Sequence, residues 1–387
     1  MRVIPPLTIT DAMLTSSTCA EPHATEQAYN AGTSYALGAR VILGSPSSTV
    51  TISIAAPGVV TWATHGQADG TPVVLTTDGA LPTGLTAGRV YYIVNSAAGT
   101  FQVAETPGGA PIITTGSQSG THTATTQVHR TFESLIGSNT GNYPTLEASA
   151  DKWVDVGPSN KWAMFDLLRN TGTTQASPLT VVITPGERVD SLALVGLVAD
   201  SVTVSVTVSA VEVYSETVDL SSRNVLNWYD YFFAPFTFRN ALALFNLPPY
   251  VNAVITVTIT RAAGAVTCGG LITGLNTYLG VTVANALSDA LNFSRIERDD
   301  FGNSILVPRR SVPKASLQLI TEKANVNAVR AVRDALSGTP ALWSGLDDAA
   351  DGFFEAVLIL GIHKAFGISM DQPAPDYATV SLELEEV

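Results

Sequence analysis

The chain has few charged residues for its length. Of its 387 residues, 14% are Asp, Glu, Lys or Arg, whereas an average soluble domain has roughly 25%. So little charge favours a protein that hides much of its surface in an assembly, and a surface rich in Thr and Ser is the alternative explanation. The net charge of −13 argues against a nucleic-acid groove, because phosphate binding requires clustered Lys and Arg.

Cysteine and long apolar runs are also scarce. Cys19 and Cys268 lie far apart and form no CxxC or Cys/His spacing, so we expect two isolated buried thiols, with a disulfide as the alternative. The longest apolar run, residues 356–362, is far shorter than the ~20 residues of a membrane helix and predicts a buried strand. The N-terminal segment has no apolar h-region, so we expect neither a signal peptide nor membrane insertion.

The sequence contains none of the spacings that usually identify a reactive or metal-binding site. Its five histidines form no HExxH, HxH or nucleophile–base pattern, and the chain has no Gly-x-Ser-x-Gly elbow. Asp347, Asp348 and Asp351 are candidate Ca²⁺ ligands, but they lack the distal Glu of an EF-hand loop, which favours a solvated turn. We therefore predict no metal and no cofactor.

One pair of adjacent carboxylates is a candidate for acid–base catalysis. Asp299 and Asp300 are adjacent, and Arg295 and Arg298 precede them. A glycosidase needs two carboxylates that face each other across a cleft, whereas a charged turn needs only surface ion pairs. The surface interpretation is simpler, and we predict that the protein is not an enzyme.

Short strands separated by turn residues dominate the chain. Residues 202–208 alternate Val with Thr or Ser, a period of two that buries one face and exposes hydroxyls on the other. Residues 325–336 show helical spacing, with Asn325 as N-cap and Gly338 after the end. The predicted fold class is mainly β and multidomain, with a small split β module that carries an inserted all-β domain, a jelly-roll-like antiparallel β-sandwich and a C-terminal α+β domain.

Shifts in composition define the predicted domain boundaries. Residues 153–166 hold two of the five tryptophans and separate a segment rich in Thr, Gly and Ala from one rich in Val and Leu. In the first domain, Pro5 and Pro6 oppose helix, and such an arm packs on a neighbouring subunit or frays. The predicted domains are an extended N-terminal arm (1–27), the split module (28–44 with 128–160), the inserted all-β domain (45–127), the β-sandwich (161–283) and the C-terminal α+β domain (284–387).

The two parts of the split module contain an ordered series of aromatic and glycine positions. The first part has Tyr29 and then Tyr35-Ala-Leu-Gly38-Ala39-Arg40-Val41, and the second has Phe132, Gly141-Asn-Tyr143-Pro144 and Trp153. Joined across the gap, the series resembles the small chitin-binding modules of bacterial chitinases. Tyr29 stands where that family usually has Trp, Ala39 replaces the usual Asp, and Phe132 replaces a Tyr.

This resemblance implies glycan binding. Aromatic faces in such modules stack on the apolar faces of sugar rings. The residues that match are Tyr29, Tyr143 and Trp153, which become the candidate glycan-binding residues. The alternative is that all three are core aromatics of a very small sheet.

The inserted residues 45–127 contain short β-branched segments between turn dipeptides such as Asp69-Gly70 and Asp78-Gly79, a pattern typical of a small all-β domain. The string Val60-Thr-Trp62-Ala-Thr-His65-Gly66, followed by Tyr91-Tyr92-Ile-Val-Asn95, resembles a module that recurs in structural proteins of tailed phages. The resemblance implies no chemistry. Surface loops of β modules tolerate insertions of this kind.

Two further stretches resemble tail or baseplate proteins of phages and prophages. One is Val-Ile-Pro-Pro at residues 3–6 together with residues 153–166, and the other is the C-terminal order Gly338-Thr-Pro340-Ala-Leu-Trp343, then Gly361-Ile-His-Lys364. The resemblance implies a non-enzymatic structural component of a phage tail tip or baseplate, located in the virion and assembled in the host cytoplasm. Its implied partners are other tail proteins, further copies of the chain in a trimer or hexamer, and host cell-surface glycan.

Two other functions stay open at this stage. One is a glycan-binding adhesin that recognises cell-surface polysaccharide. The other is a secreted polysaccharide-degrading enzyme with binding modules, for which a catalytic domain is missing.

The densest aromatic patch of the chain lies within residues 228–238. A ligand platform would use these rings, but a subunit interface is the stronger interpretation, because interfaces are enriched in Tyr, Trp and Phe. The predicted interface residues are Trp228, Tyr229, Tyr231, Phe232, Phe233 and Phe236, with Phe238 beside them.

Overall fold

The computed structural model describes residues 1–222, 226–283, 286–298, 300–349, 351–370 and 376–387. It is mainly β, with 47% strand and 7% helix, and it contains several antiparallel sheets and a six-stranded barrel. The predicted fold class is therefore confirmed. The chain forms two compact units: a large unit of Met1–Cys19 and Ala163–Val387, and a small unit of Ala20–Trp162.

The strands of the described residues are short, and turns connect most of them. Two α-helices are present, α1 (Trp228–Phe233) and α2 (Val326–Ala335), with 3-10 turns at Glu147–Ser149, Ala163–Phe165, Lys323–Asn325 and Glu355–Val357. In chain order the strands are β1 (Arg2–Ile4), β2 (Leu14–Ser17), β3 (Arg40–Leu43), β4 (Ser47–Ile52), β5 (Val60–Thr61), β6 (Pro72–Thr77), β7 (Val90–Ala97), β8 (Thr100–Ala104), β9 (His122–Thr126), β10 (Arg130–Ser134), β11 (Trp153–Pro158), β12 (Thr173–Ala176), β13 (Leu179–Ile183), β14 (Ser191–Val195), β15 (Ser201–Val208), β16 (Val211–Asp219), β17 (Ser221–Ser222), β18 (Thr237–Phe238), β19 (Ala241–Leu244), β20 (Ala253–Thr260), β21 (Ala265–Cys268), β22 (Gly270–Gly274), β23 (Thr277–Tyr278), β24 (Val281–Thr282), β25 (Leu287–Asn292), β26 (Arg295–Arg298), β27 (Ser304–Val307), β28 (Ser311–Glu322), β29 (Ala341–Ser344), β30 (Leu358–Met370) and β31 (Tyr377–Glu386).

The small unit combines a closed barrel with a three-stranded sheet. The barrel has the strand order β4-β5-β8-β7-β6-β9, and the sheet has the order β11-β10-β3. Every second residue of β9 is buried, as the period of two requires when one face of a strand lines a barrel interior. The barrel core includes Val73, Leu75, Tyr91 and Phe101, and closure leaves its strands without a free edge.

The large unit contains a five-stranded sheet with the order β16-β15-β20-β13-β2 and an eight-stranded sheet. The eight-stranded sheet has the order β23-β1-β29-β30-β31-β28-β24, and β25 also pairs with β28. One face packs on α2 through Trp343 and Val329, and the other packs through Leu342 and Leu360 on the sheet β19-β14-β22. Neighbouring elements thus cover both faces of the sheet around β1, β29 and the first half of β30.

A β-hairpin extends the ladder between β25 and β28. Asn292 pairs with Ser311 at the end of that ladder, and β26 then pairs with β27. Ser294 connects the two parts, because its Oγ donates to the Arg309 carbonyl at 3.1 Å. All residues of β25 and β26 are exposed.

The first residues of the chain do not form the extended arm that the sequence predicted. β1 pairs with β29 inside the eight-stranded sheet, and β2 pairs with β13. Val3 and Ile4 are both fully buried, in two different core clusters. Adjacent residues of a strand point to opposite faces, and because both faces of this sheet are covered, both side chains become core.

Two local predictions have different outcomes. Helix α2 lies where the helical spacing placed it, and Asn325 occupies the predicted N-cap position, but its side chain makes no capping hydrogen bond. The residue has helical dihedral angles at the end of a 3-10 turn, whereas a capping residue needs an extended conformation. Gly338 follows the helix with φ of 75°, the left-handed geometry that glycine adopts without strain.

The two thiols are buried as predicted, and the predicted buried strand forms over residues 358–361 of the apolar run. Cys19 and Cys268 are buried and form no disulfide, and burial raises the pKa of the Cys268 thiol to about 12. The first four residues of β30, within the apolar run, are buried. None of the helices in the described ranges is long and apolar enough to cross a membrane.

Candidate ligand-binding groove

The three-stranded sheet of the small unit brings the predicted glycan-binding aromatics together. Trp153 begins β11 and packs with Tyr35 and Phe132 in one cluster, and Tyr29 and Tyr143 pack against that cluster. Trp153 is only 3% exposed, and its Nε1 donates to the Asn142 carbonyl at 2.8 Å. Its ring is part of the core, as the alternative interpretation supposed, and offers no face to a ligand.

Tyr29 and Tyr143 have a different environment. Both line a groove of about 550 Å³, and both are partly exposed. Their ring centroids are 5.2 Å apart with an interplanar angle of 77°, the edge-to-face geometry that aromatic pairs prefer. The groove therefore contains two of the three predicted aromatics on one wall.

The Tyr143 ring is held by the barrel side of the small unit. Gln67 Nε2 donates to Tyr143 Oη at 3.1 Å, and Thr145 Oγ1 donates to the Gly66 carbonyl. A Cβ on Gly66 would lie 2.3 Å from Tyr143 Cδ1, so only glycine lets the backbone approach the ring this closely. Burial raises the pKa of Tyr143, against the lowering effect of the Gln67 hydrogen bond.

The Tyr29 hydroxyl is enclosed. Its Oη is buried and has no hydrogen-bond partner within the described residues. Burial, and secondarily the neighbouring Tyr35, raises the pKa of Tyr29. Because this oxygen is buried, the ring rather than the hydroxyl is the part that a ligand would contact.

A second wall of the groove carries charge. Glu21 and Lys161 line it, and His129 Nδ1 lies 2.8 Å from Glu21 Oε2. Ser159 Oγ donates to Glu21 Oε1 at 2.6 Å, and Trp162 Nε1 donates to Oε2 at 3.2 Å. Each carboxylate oxygen thus accepts at least one hydrogen bond.

These contacts keep the Glu21 carboxylate ionised. Burial alone would raise its pKa, but the hydrogen bond and charge of His129, the Ser159 hydroxyl and the Lys161 ammonium together lower it below its ordinary value. The Glu21 and His129 side chains are 8% and 11% exposed. The Trp162 ring stacks on the His129 ring, with centroids 4.4 Å apart and an interplanar angle of 29°.

The other ring nitrogen of His129 contacts a residue of the groove wall. Ser45 Oγ lies 3.3 Å from His129 Nε2, and Ser45 is an exposed residue of the groove wall. His129 itself has φ of 50°, a left-handed conformation that is uncommon for a residue other than glycine. Glu21, His129 and Ser45 therefore form a continuous hydrogen-bonded series that ends in the groove.

Sequence reasoning missed these three residues. Glu21 and His129 are 108 positions apart, and Ser45 and His129 are 84 positions apart, so no local motif contains them. One signal was present: Ser45 and His129 flank the two ends of the inserted segment 45–127. The Gly44 carbonyl accepts hydrogen bonds from the N–H groups of Val128 and His129, at 3.1 and 3.2 Å, and so the ends of the insertion meet here.

The predicted carboxylates that the structure describes form no metal-binding cluster. Asp347 lies 3.3 Å from Arg2 and 3.5 Å from the N-terminal ammonium, so it takes part in ion pairs. Across the described ranges, no cluster of three or more His, Cys, Asp and Glu side chains is suited to hold a metal ion. Asp299, of the predicted surface pair, lies outside the described residues.

The predicted interface residues of the large unit are all exposed. Helix α1 begins at its N-cap Asn227, whose Oδ1 accepts from the Asp230 N–H at 2.9 Å, and the helix buries none of its residues. We call the following set the aromatic surface: Leu226, Trp228, Tyr229, Tyr231, Phe232, Phe233, Phe236 and Phe238, which are 52–81% exposed.

No protein family matches this chain, and no curated protein matches it at a significant level.

Proposed function

We propose that the protein is a structural component of a phage tail tip or baseplate that assembles with further copies of itself and with other tail proteins. The aromatic surface is the observation that carries this proposal. Its seven aromatic side chains are 52–78% exposed, which is costly for a surface that stays in water. A second copy of the chain is the occupant that we assign to it.

The area of the aromatic surface supports this assignment. An aromatic side chain buries about 150–250 Å² when it is covered, so the exposed parts of these seven rings amount to roughly 700–1,100 Å². The largest apolar patch of a typical monomer is about 300–600 Å². A stable interface covers about 800 Å² on each partner, which one such surface supplies.

A second exposed apolar region lies on the hairpin of β26 and β27. Ile296 pairs directly with Leu306, and these two side chains are 67% and 66% exposed. A two-stranded hairpin is at best marginally stable alone in water. Contact with another subunit in an assembly would cover both side chains and stabilise the hairpin.

The test is the mass of the purified full-length chain, measured by light scattering with negative-stain imaging of the same sample. We expect a defined oligomer for the wild type and a monomer for the double variant Trp228→Ser/Phe232→Ser. The matched control is Tyr250→Ser/Phe353→Ser, which removes two exposed aromatics outside the aromatic surface and should keep the oligomer. A wild type that is monomeric at all concentrations would overturn the assembly proposal.

A second candidate function is recognition of host cell-surface glycan. The position of Tyr29 and Tyr143 in the groove favours it, because partly exposed rings are suited to stack on sugars. We expect binding on a glycan array, and we expect Tyr29→Ala to weaken it. The control is Tyr250→Ala in the large unit, and equal binding by all three proteins would contradict a role for the groove.

A further inference from the structure

The series Glu21–His129–Ser45 has the order of groups found in serine hydrolases. His129 Nδ1 lies 2.8 Å from Glu21 Oε2, and His129 Nε2 lies 3.3 Å from Ser45 Oγ. Nucleophilic catalysis needs a nucleophile, a base within hydrogen-bond reach of it, and a third group that orients the base. The distance between nucleophile and base is often longer before substrate binds.

The carboxylate determines which ring nitrogen acts as base. An ionised carboxylate only accepts hydrogen bonds, so Nδ1 must carry the proton that is shared with Glu21. In neutral His129, Nε2 then has its lone pair directed to Ser45 Oγ. This is the tautomer that a serine hydrolase requires.

The surroundings fix the orientation of both inner groups. Ser159 and Trp162 donate to the Glu21 carboxylate, and the Trp162 ring stacks on His129. Glu21 and His129 are nearly buried, while Ser45 is exposed in a groove of about 550 Å³. The left-handed backbone of His129 adds local strain of the kind that concentrates at functional sites.

We propose that this groove hydrolyses small carboxylic esters, with Ser45 as nucleophile, His129 as general base and Glu21 as the positioning residue. The inference goes beyond the assembly role and does not depend on glycan binding. Lys161, which lines the same groove, is the cation that we assign to the negative charge developing on the carbonyl oxygen.

Acylation forms one bond and breaks another. Ser45 Oγ attacks the ester carbonyl carbon, and its proton passes to His129 Nε2. When the tetrahedral intermediate collapses, the bond from carbon to the leaving oxygen breaks, and the proton moves from Nε2 to the departing alcohol. Water then attacks the carbonyl carbon of the acyl-Ser45 ester and gives a proton to His129 Nε2. When this second intermediate collapses, the bond from the acyl carbon to Ser45 Oγ breaks, the proton moves from Nε2 to Ser45 Oγ, and the carboxylic acid is released.

The experiment uses the full-length chain with a fluorophosphonate probe and with 4-nitrophenyl acetate. We expect one covalent adduct, mapped by mass spectrometry to Ser45. Ser45→Ala should lose the adduct and lower the ester turnover by at least about 100-fold. The matched control is Ser47→Ala, another exposed serine two residues along, which should keep both properties.

The alternative is that the series only stabilises the fold by connecting Glu21 to the ends of the insertion. A wild-type chain that unfolds cooperatively on heating, yet forms no adduct at Ser45, would establish that alternative, as would turnover unchanged in Ser45→Ala. Oligomer mass and glycan binding are measured on the same samples. Since Ser45 lies outside the aromatic surface, Ser45→Ala should leave the oligomer mass unchanged, which separates failure of this proposal from failure of the assembly proposal.

Discussion

His129 Nδ1 and Glu21 Oε2 are 2.8 Å apart although 108 positions separate the two residues. The contact joins the segment before the split module to the residues that follow the inserted barrel. Ser159 and Trp162 also donate hydrogen bonds to the Glu21 carboxylate.

Replacing the Glu21 carboxylate should make stability depend less on pH. The folded state lowers the Glu21 pKa below its ordinary value of 4.5, so ionisation stabilises the fold above pH 4.5, and this contribution is lost as pH falls through the lower folded value. We expect Glu21→Gln to lose about 2 kcal/mol at pH 7 and to approach the wild type as the pH falls below the folded-state pKa of Glu21. Urea unfolding at several pH values measures this.

The control for that measurement is Glu105→Gln. Glu105 forms an exposed ion pair with Arg89, and exposed pairs contribute about 0–1 kcal/mol. If both variants lose the same small amount at pH 7, the buried cluster does not stabilise the small unit.

Gly66→Ala should destabilise the small unit more than Gly70→Ala. Both glycines have positive φ, 65° and 87°, so both substitutions strain the backbone. Only the Cβ at residue 66 meets a ring, at 2.3 Å from Tyr143 Cδ1, whereas the Cβ at residue 70 meets nothing within 4 Å. We expect an additional loss of about 1–3 kcal/mol for Gly66→Ala, measured by chemical denaturation, and equal losses would contradict the close contact.

Glu386→Ala should weaken the large unit. Glu386 is 5% exposed, and it accepts from Arg310 at 2.8 Å and from Arg169. Loss of the carboxylate leaves two guanidinium groups without their shared partner. Because Arg169 and Arg310 are 21% and 42% exposed, water compensates in part, and we expect a cost of about 1–2 kcal/mol. Glu383→Ala changes an exposed residue of the same strand and is the control, for which thermal unfolding should shift little.

Both thiols should be unreactive in the folded chain. Cys19 and Cys268 are 1% and 0% exposed. The thiolate is the reactive form of cysteine, and the pKa of about 12 keeps Cys268 protonated at pH 8. We expect Ellman's reagent at pH 8 to detect no thiol in the native protein and two after denaturation. Rapid reaction of one thiol under native conditions would mean that the region around it opens readily.

Period-two patterns predicted the fold class, because burial in a sheet follows the alternation of side chains directly. In β15, the valines at 202, 204 and 206 are buried and the residues between them are partly exposed. The same reasoning failed at residues 1–19, where a strand of three residues is too short to show a period. Whether an apolar tripeptide frays or enters a sheet depends on distant strands such as β29.

The sequence predicted the aromatic residues of the candidate groove but not its polar residues. The resemblance selected Tyr29 and Tyr143, which do lie together on one wall, but it could not distinguish them from Trp153, which the sheet buries. The polar wall was not predicted at all. Glu21, Ser45 and His129 come from three separate segments, and their proximity depends on where the insertion enters and leaves the sheet.

The meeting of both barrel ends at the Gly44 carbonyl has an evolutionary consequence. β3 and β10, which precede and follow the barrel, pair antiparallel with each other, so a short turn in place of the whole barrel would join them as an ordinary hairpin. Recombination at this one point would therefore add, remove or exchange the barrel without altering the sheet. Because Ser45 and Pro46 belong to the inserted segment and line the groove, each exchange would also replace part of the groove wall.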